Sequence, residues 1–304
     1  MGTLERTDVE VVLSSAERLP AADVWLVVDV LRASTVMTCW FAEGGRSLYP
    51  TDSVESALRL AEALKAEGEM PLLMGEENAI APRGFDIGNS PADITREITA
   101  RHSCAVMATT NGTNALLRAA SSGVPVFAAC ARNASAALDL ALSKGNRVGI
   151  LCSGRKGRPA WDDTICAGLI VDKLMGYAPN LRLSDGAKLA RLAYVKGGDF
   201  ASSLASAEHA VFLEKIGFGG DVHFAAKVDA VRIVPELHEL PDGDGMRAVL
   251  RENRAPGVRP VLAKEEKAAP LETVDVIDFL PPGLAESLAF RVNGARKGHK
   301  KRVF

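Results

Sequence analysis

A chain of 304 residues, 47% apolar and 24% charged, has the length and composition for one or two buried cores. Its net charge of -2 and 5% aromatic content argue against a nucleic-acid or anionic-membrane surface. Five scattered cysteines without a Cys-x-x-Cys pair fit reduced thiols in a cytoplasmic protein, and the longest apolar run, VWLVVDVL at 24–31, is too short to span a bilayer. The charged N-terminus, MGTLERTDVE, has no signal-type apolar segment.

Residues 24–31 have the β-branched density of a strand buried on both faces, and 33–45 follow as a helix stopped by two glycines. A short strand near 47–49 leads to a helix over 52–68, with Asp52 as N-cap and Glu55 three residues on. PLLM at 71–74 is a further strand. A long loop then ends at a helix over 90–98, capped by Ser90 with Pro91 in its first turn. Three regular units come next: strand 104–108 with helix 113–121, strand 124–129 with helix 133–144, and strand 147–151 with helix 162–175. Helix-length connections impose parallel pairing, so the fold class is α/β, a mostly parallel sheet flanked by helices with a more helical C-terminal portion.

The pattern turns helical from about residue 181 and closes on a strand-like stretch at 230–236. Residues 241–270 are rich in Pro, Gly and charge and read as a linker. Residues 274–290 have the pattern of an edge strand and a helix, and the basic run ARKGHKKRVF reads as a solvated tail. The expected organisation is an α/β core over 1–180, a helical closing part of the same catalytic unit over 181–240, and a linker with a basic extension over 241–304.

In a parallel sheet, ligands bind where βα loops and helix N-termini gather at the strands' carboxyl ends. The polar clusters of this chain fall there: Asp29 and Arg32 after the first buried strand, Glu76 and Glu77 after PLLM, TTNGT after 104–108, Asn133 after 124–129, and CSGRKGRPAWDD after 147–151. Thr109, Thr110, Asn111 and Thr113 offer donors beside Gly112 and a helix N-terminus, which makes an anion cradle; the alternative is a generous N-cap. The loop APRGFDIGNSPAD holds Asp86 and Asn89 between two glycines.

An unpaired charge inside an apolar strand is costly, so Asp29 needs Arg32 or a cation beside it. Hard oxygen donors with phosphate nearby suit Mg²⁺; the alternative is an Asp29–Arg32 salt bridge with Asp162 as a helix cap. The five histidines lack metal spacing and read as surface or core polar residues. GILCSGRK at 149–156 misses the Lys-Ser/Thr of a Walker A loop. Cys152 and Arg158 have the Cys-x5-Arg spacing of thiolate phosphatases, which keeps a Cys152/Arg158-dependent phosphatase as an alternative.

Five blocks in order, VVDVLRAST, GE followed by GFDIGNSP, TTNGT, ARNAS and CSGRKGRPAWDDTICAG, together resemble the 2-phosphosulfolactate phosphatase family over roughly residues 9–235. The resemblance implies a Mg²⁺-dependent α/β enzyme that removes phosphate from 2-phospho-3-sulfolactate on the way to coenzyme M. It highlights Asp29, Arg32, Glu76, Asp86, Asn89, Thr109, Thr110, Asn111, Gly112, Asn133, Gly154 and Asp163. Glu77 and Ser153 depart from the family's usual basic residue and alanine. The expected metal ligands are Asp29, Glu76 and Asp163, and the expected acid/base or nucleophilic groups are Asp29, Asp163 and Asp86. Arg32, Asn89, the TTNGT loop, Asn133, Gly154, Arg155 and Lys156 are expected to bind substrate. The partner is a small phosphorylated acid rather than nucleic acid or membrane, and a homo-oligomer is compatible with the sequence. A non-catalytic phosphometabolite-binding protein is the reading from another class.

Overall fold

The computed structural model describes residues 6–177, 180–242 and 245–254. Within them lie β1 (Thr7–Val12), β2 (Val24–Val28), α1 (Ala33–Ala42), β3 (Ser47–Thr51), α2 (Val54–Ala66) and β4 (Pro71–Gly75). Next come α3 (Arg96–Arg101), β5 (Cys104–Ala108), α4 (Gly112–Ala120), β6 (Val126–Ala129), α5 (Ala134–Lys144), β7 (Arg147–Cys152) and α6 (Trp161–Met175). β8 (Leu181–Leu183), α7 (Asp185–Lys196), α8 (Phe200–Ala205), α9 (Glu208–Lys215), α10 (Gly219–Ala225), β9 (Ile233–Asp242) and β10 (Gly245–Arg254) complete them.

The strands form one sheet in the order β4-β5-β3-β10-β9-β6-β2-β7-β1-β8. Two parallel blocks, β4-β5-β3 and β6-β2-β7-β1-β8, are joined through the antiparallel pair β9 and β10. The α/β fold with a mostly parallel sheet is therefore as expected, but the segment expected to be a linker from residue 241 instead carries β10. Its sequence, GMRAVLRENR, mixes charge with few apolar residues, so the strand signal is weak. Val249 and Leu250 are nonetheless fully buried, and Leu250 pairs with Leu48 of β3. The pattern at 274–290 and the basic run at the C-terminus lie outside the described residues.

One sheet face forms a single core that draws on both blocks. Trp25 and Val27 of β2, Met74 of β4, Met107 of β5 and Val126 of β6 pack with Met37, Trp40 and Phe41 of α1 and Leu116 of α4. The sheet thus curls around α1 and α4, in keeping with the twist of strands. The opposite face divides. Leu73 and Val106 cover Ala57 and Leu64 of α2, while Leu26, Phe127 and Ile150 cover α5 and α6. Because α1 lies inside the curl it has no exposed face: nine consecutive residues, Ala33–Phe41, are buried. Its hydroxyls bond inward, Ser34 Oγ to the Asp29 carbonyl at 2.8 Å and Thr38 Oγ1 to the Ser34 carbonyl at 2.8 Å. The C-terminal helices join the core under α6 through Leu204, Leu213 and Val222.

Two helix starts differ from expectation. Ser53, not Asp52, caps α2, its Oγ accepting from the Ser56 N–H at 3.1 Å. The single helix expected over 90–98 is a 3-10 turn at Pro91–Asp93, capped by Ser90, followed by α3 capped by Thr95. Ending the chain after Asp242 removes the strand that joins β3 to β9. We expect that variant to lose the cooperative thermal unfolding of the full chain and to aggregate; calorimetry on both checks this.

Candidate active site

The curl brings the ends of β2, β4, β5 and β7 to one space. Asp29, one residue past β2, is buried there, and its Oδ1 accepts the Ala33 N–H at 3.1 Å. Arg32 does not serve as its ion-pair partner. Its Nη1 instead donates to Asp221 Oδ2 at 2.8 Å and its Nη2 to the Ala79 carbonyl at 2.8 Å, with the Phe218 ring centre 4.8 Å from the guanidinium. Arg32 and Asp221 are each only 3% exposed. Burial, with the nearby Glu76 charge adding to it, pushes the Asp29 carboxyl up to about 6.

Glu76 follows β4 and is oriented by two backbone donors: its Oε2 accepts the Ala79 N–H at 2.7 Å and its Oε1 the Thr110 N–H at 2.9 Å. That second bond ties the β4 loop to TTNGT. Within TTNGT, Thr109 and Thr113 cap each other, Thr109 Oγ1 accepting the Thr113 N–H at 3.0 Å and Thr113 Oγ1 the Thr109 N–H at 3.1 Å. The Thr109 hydroxyl is thus occupied in capping. Asn111 holds the N-cap position of α4 without a side-chain cap bond, so its amide stays available to the space it lines. Gly112 has no alternative here: a Cβ would lie 2.4 Å from Ala33 Cβ and 2.6 Å from Asp29 Oδ2. That close approach brings the α4 N-terminus against the carboxylate.

Asp29, Arg32, Glu76, Asn89, Asn111 and His209 line a cavity of about 10 Å³, room for one water-sized particle. Asn89 is 3% exposed and its Oδ1 has no hydrogen-bond partner. A buried carbonyl oxygen left unpaired is costly, so it marks a place for a donor or a cation. Two carboxylates and an amide oxygen form a hard-oxygen set that fits Mg²⁺. The expected trio of Asp29, Glu76 and Asp163 does not form. Among the described residues no three His, Cys, Asp or Glu side chains are grouped to hold a metal.

Asp163 is engaged elsewhere. Its Oδ1 accepts the Val30 N–H at 2.9 Å, and its Oδ2 accepts Ser153 Oγ at 2.9 Å and the Gly154 N–H at 3.0 Å. It thereby staples the loop after β2 to the loop after β7, and Gly154, at φ +68°, turns the chain tightly against the Arg158 carbonyl. Its neighbour Asp162 faces a groove of about 860 Å³ with Arg155, Lys156, Arg158, Trp161 and His209. Burial, then the Asp29 charge, push the Asp162 carboxyl up to about 7. Arg155 and Lys156 sit on a tight turn closed by paired bonds between Arg155 and Arg158, with Lys156 and Gly157 at positive φ.

Other expected residues stay out of this space. Asn133 is fully buried under α1 and α5, with its Oδ1 on the Cys130 N–H at 2.8 Å and its Nδ2 on the Ile233 carbonyl at 3.0 Å, so it joins β6 to β9 and touches no ligand space. Asp86 is exposed and its Oδ2 accepts the Leu73 N–H at 2.8 Å, at the outer edge of β4 where the backbone of residues 86–88 pairs with the strand. Cys152 is fully buried, its thiol donates to the Asp163 carbonyl at 3.5 Å, and burial pushes it well above the usual thiol range. With Arg158 on an exposed turn, no thiolate cradle exists and the Cys152/Arg158 mechanism falls.

Two residues escaped the sequence reading. Asp221 also accepts Ser90 Oγ at 2.6 Å, so it braces both Arg32 and the Asn89 loop. His209 lines both the cavity and the groove, its Nδ1 3.8 Å from Asp162 Oδ2. Burial, then Arg155 and Arg32, push its imidazole down to about 4. Both lie in a helical stretch whose only available signal was membership of SAEHAVFLEKIGFGGDV, within the span of the resemblance.

The raised carboxyls set a pH dependence. Asp29 and Asp162 bind protons in the fold at pH values where the unfolded chain has released them, from about 4 up to 6–7. Stability from this pair is therefore present at low pH and lost as pH rises through that window. In EDTA, Asp29→Asn is expected to melt above wild type at pH 8, with the gap closing by pH 5; thermal scans at both values check it. Arg32→Met leaves Asp221 buried without its cation and should cost about 3–5 kcal/mol in denaturant unfolding.

A profile of the 2-phosphosulpholactate phosphatase family matches residues 12–240. The probable 2-phosphosulfolactate phosphatase of Pseudothermotoga lettingae is 35% identical over 230 residues, 75% of this chain and 95% of that protein. Those of Deinococcus radiodurans, 35% identical over 230 residues, and Thermus thermophilus, 36% over 223, cover 75% and 73% of this chain and 92% and 90% of their own. No helix among the described residues is long and apolar enough to cross a membrane. The chain belongs to the 2-phosphosulpholactate phosphatase family.

Proposed function

We propose that the protein is a Mg²⁺-dependent phosphoric monoester hydrolase acting on a small anionic 2-hydroxy acid, converting 2-phosphosulfolactate to sulfolactate. The substrate comes from the names of its relatives. The observation that carries the metal reading is Asp29. It is buried, its neighbouring guanidinium is committed to Asp221, and an unpartnered Asn89 oxygen and Glu76 share its one-particle cavity.

Asp29 and Glu76 would hold Mg²⁺, with Asn89 Oδ1 as a third oxygen donor. When bound, the ion supplies charge neutralisation at the phosphoryl oxygens, which is the main demand of phosphoryl transfer. The remaining work falls to the chain. Asn111 and the free N–H groups at the α4 N-terminus receive phosphoryl oxygens. Arg155 and Lys156 in the groove bind the sulfonate and carboxylate, where a guanidinium fork suits either. Hydrolysis breaks the bond between phosphorus and the C2 oxygen; water supplies the new phosphate oxygen, and the leaving alkoxide takes a proton. We assign that proton to Asp162 rather than to Asp163 or Asp86. It lines the groove, and burial favours its protonated form, the form that can donate. Asp163, with its three accepted bonds, braces the loops instead.

Phosphate release from a panel of phospho-acids, with Mg²⁺ and in EDTA, tests the reading. We expect release from 2-phosphosulfolactate with Mg²⁺ and none in EDTA; ligand-shifted melting without release would replace it with a phosphometabolite-binding protein. Asp162→Asn should lower kcat about 10²–10⁴-fold with little change in KM, whereas Asp86→Asn should stay close to wild type.

A further inference from the structure

Arg32 stands three residues from Asp29, and the two side chains line the same cavity. A buried carboxylate and a buried guanidinium that close would ordinarily pair, and the Arg32 charge does act on the Asp29 carboxyl. The guanidinium is nonetheless turned away. Asp221 takes Nη1 at 2.8 Å, the Ala79 carbonyl takes Nη2 at 2.8 Å, and the Phe218 ring covers the guanidinium. Asp221 is itself fixed, because Ser90 Oγ donates to its other oxygen at 2.6 Å.

We propose that Asp221 is a positioning residue that holds Arg32 off Asp29 and so keeps the Asp29 carboxylate open to a cation. It touches neither metal nor substrate and acts through Arg32. The inference rests on the metal reading above for its purpose, but its geometry does not. Three other carboxylates lie near Arg32. Asp29 and Glu76 share its cavity, and Asp93, near Asp221, is exposed. Removing the negative charge of Asp221 while keeping its shape releases the guanidinium toward Asp29, the most buried of the three. Asp221→Asn is suited to this, because the amide keeps the size of the carboxylate and its Nδ2 can still donate to Ser90 Oγ, while the charge that holds Arg32 is gone.

Two measurements test it. The first needs no metal: a crystal structure of Asp221→Asn grown in EDTA. We expect the Arg32 guanidinium within salt-bridge distance of Asp29; a guanidinium that keeps its bond to Ala79, or turns to Glu76 or Asp93 instead, overturns the proposal. The second is Mg²⁺ affinity by calorimetry for the wild type, Asp221→Asn, and the Asp221→Asn/Arg32→Met double variant. The single variant should bind Mg²⁺ at least tenfold more weakly, and the double variant, with no guanidinium to compete, should return to within about threefold of wild type. A loss that the double variant does not recover makes Asp221 merely structural and overturns the proposal. A wild type that binds no Mg²⁺ removes the metal reading, and the EDTA crystal structure then decides the position of Arg32 by itself. Should Asp221→Asn fail to fold, Asp221→Glu, which keeps the charge, must hold wild-type Mg²⁺ affinity; a tenfold loss there also overturns it.

Discussion

The ion pair of Arg32 with Asp221 joins the loop after β2 to helix α10, and the character of the site depends on it. Both groups have left water, so the attraction between them largely offsets the cost of burying them, and the pair adds little net stability. What it adds is direction. With Arg32 turned to Asp221, Asp29 remains a buried carboxylate without an ion-pair partner, facing Glu76 and an unsatisfied amide oxygen. Glu76 has little freedom to reorient, because each of its oxygens holds a backbone N–H.

The pair would have nothing to organise if the loops did not meet. In sheet order β2 and β5 are five positions apart. They come together because the sheet bends about a helix that is buried nearly all round, and because Gly112 lets α4 begin directly against Asp29. A methyl group there would push the helix off by more than the neighbouring atoms can yield. The cradle and the carboxylates are thus parts of one packing solution, with α1 as its inner wall.

Much of this is legible in the sequence, for local reasons. Strand and helix periods alternate cleanly, and βα loops with more polar side chains than capping requires do lie at the strand ends. What could not be read depends on tertiary direction. Asn89 and Asn133 each precede a helical turn, yet one faces the cavity and the other is consumed by four protein partners. Asp162 and Asp163 are adjacent, and successive residues of a helix point about 100° apart. One therefore meets the groove and the other the loops, and no pattern says which. Asp221 and His209 sit on short helices among ordinary surface-type residues, where a charge reads as solvated until its partner is known. β10 was missed because its apolar residues are few and its burial comes from strands far away in sequence.

β9 and β10 carry a further consequence, for how the chain is made. A polypeptide leaves the ribosome from its N-terminus, and β3, at residues 47–51, must wait for residues 250–251 before it gains its second neighbour. Pairings this remote in sequence close slowly. The nascent chain therefore keeps one edge of β3 open until residues 250–251 are made, and its two parallel blocks are joined only once β10 has been translated.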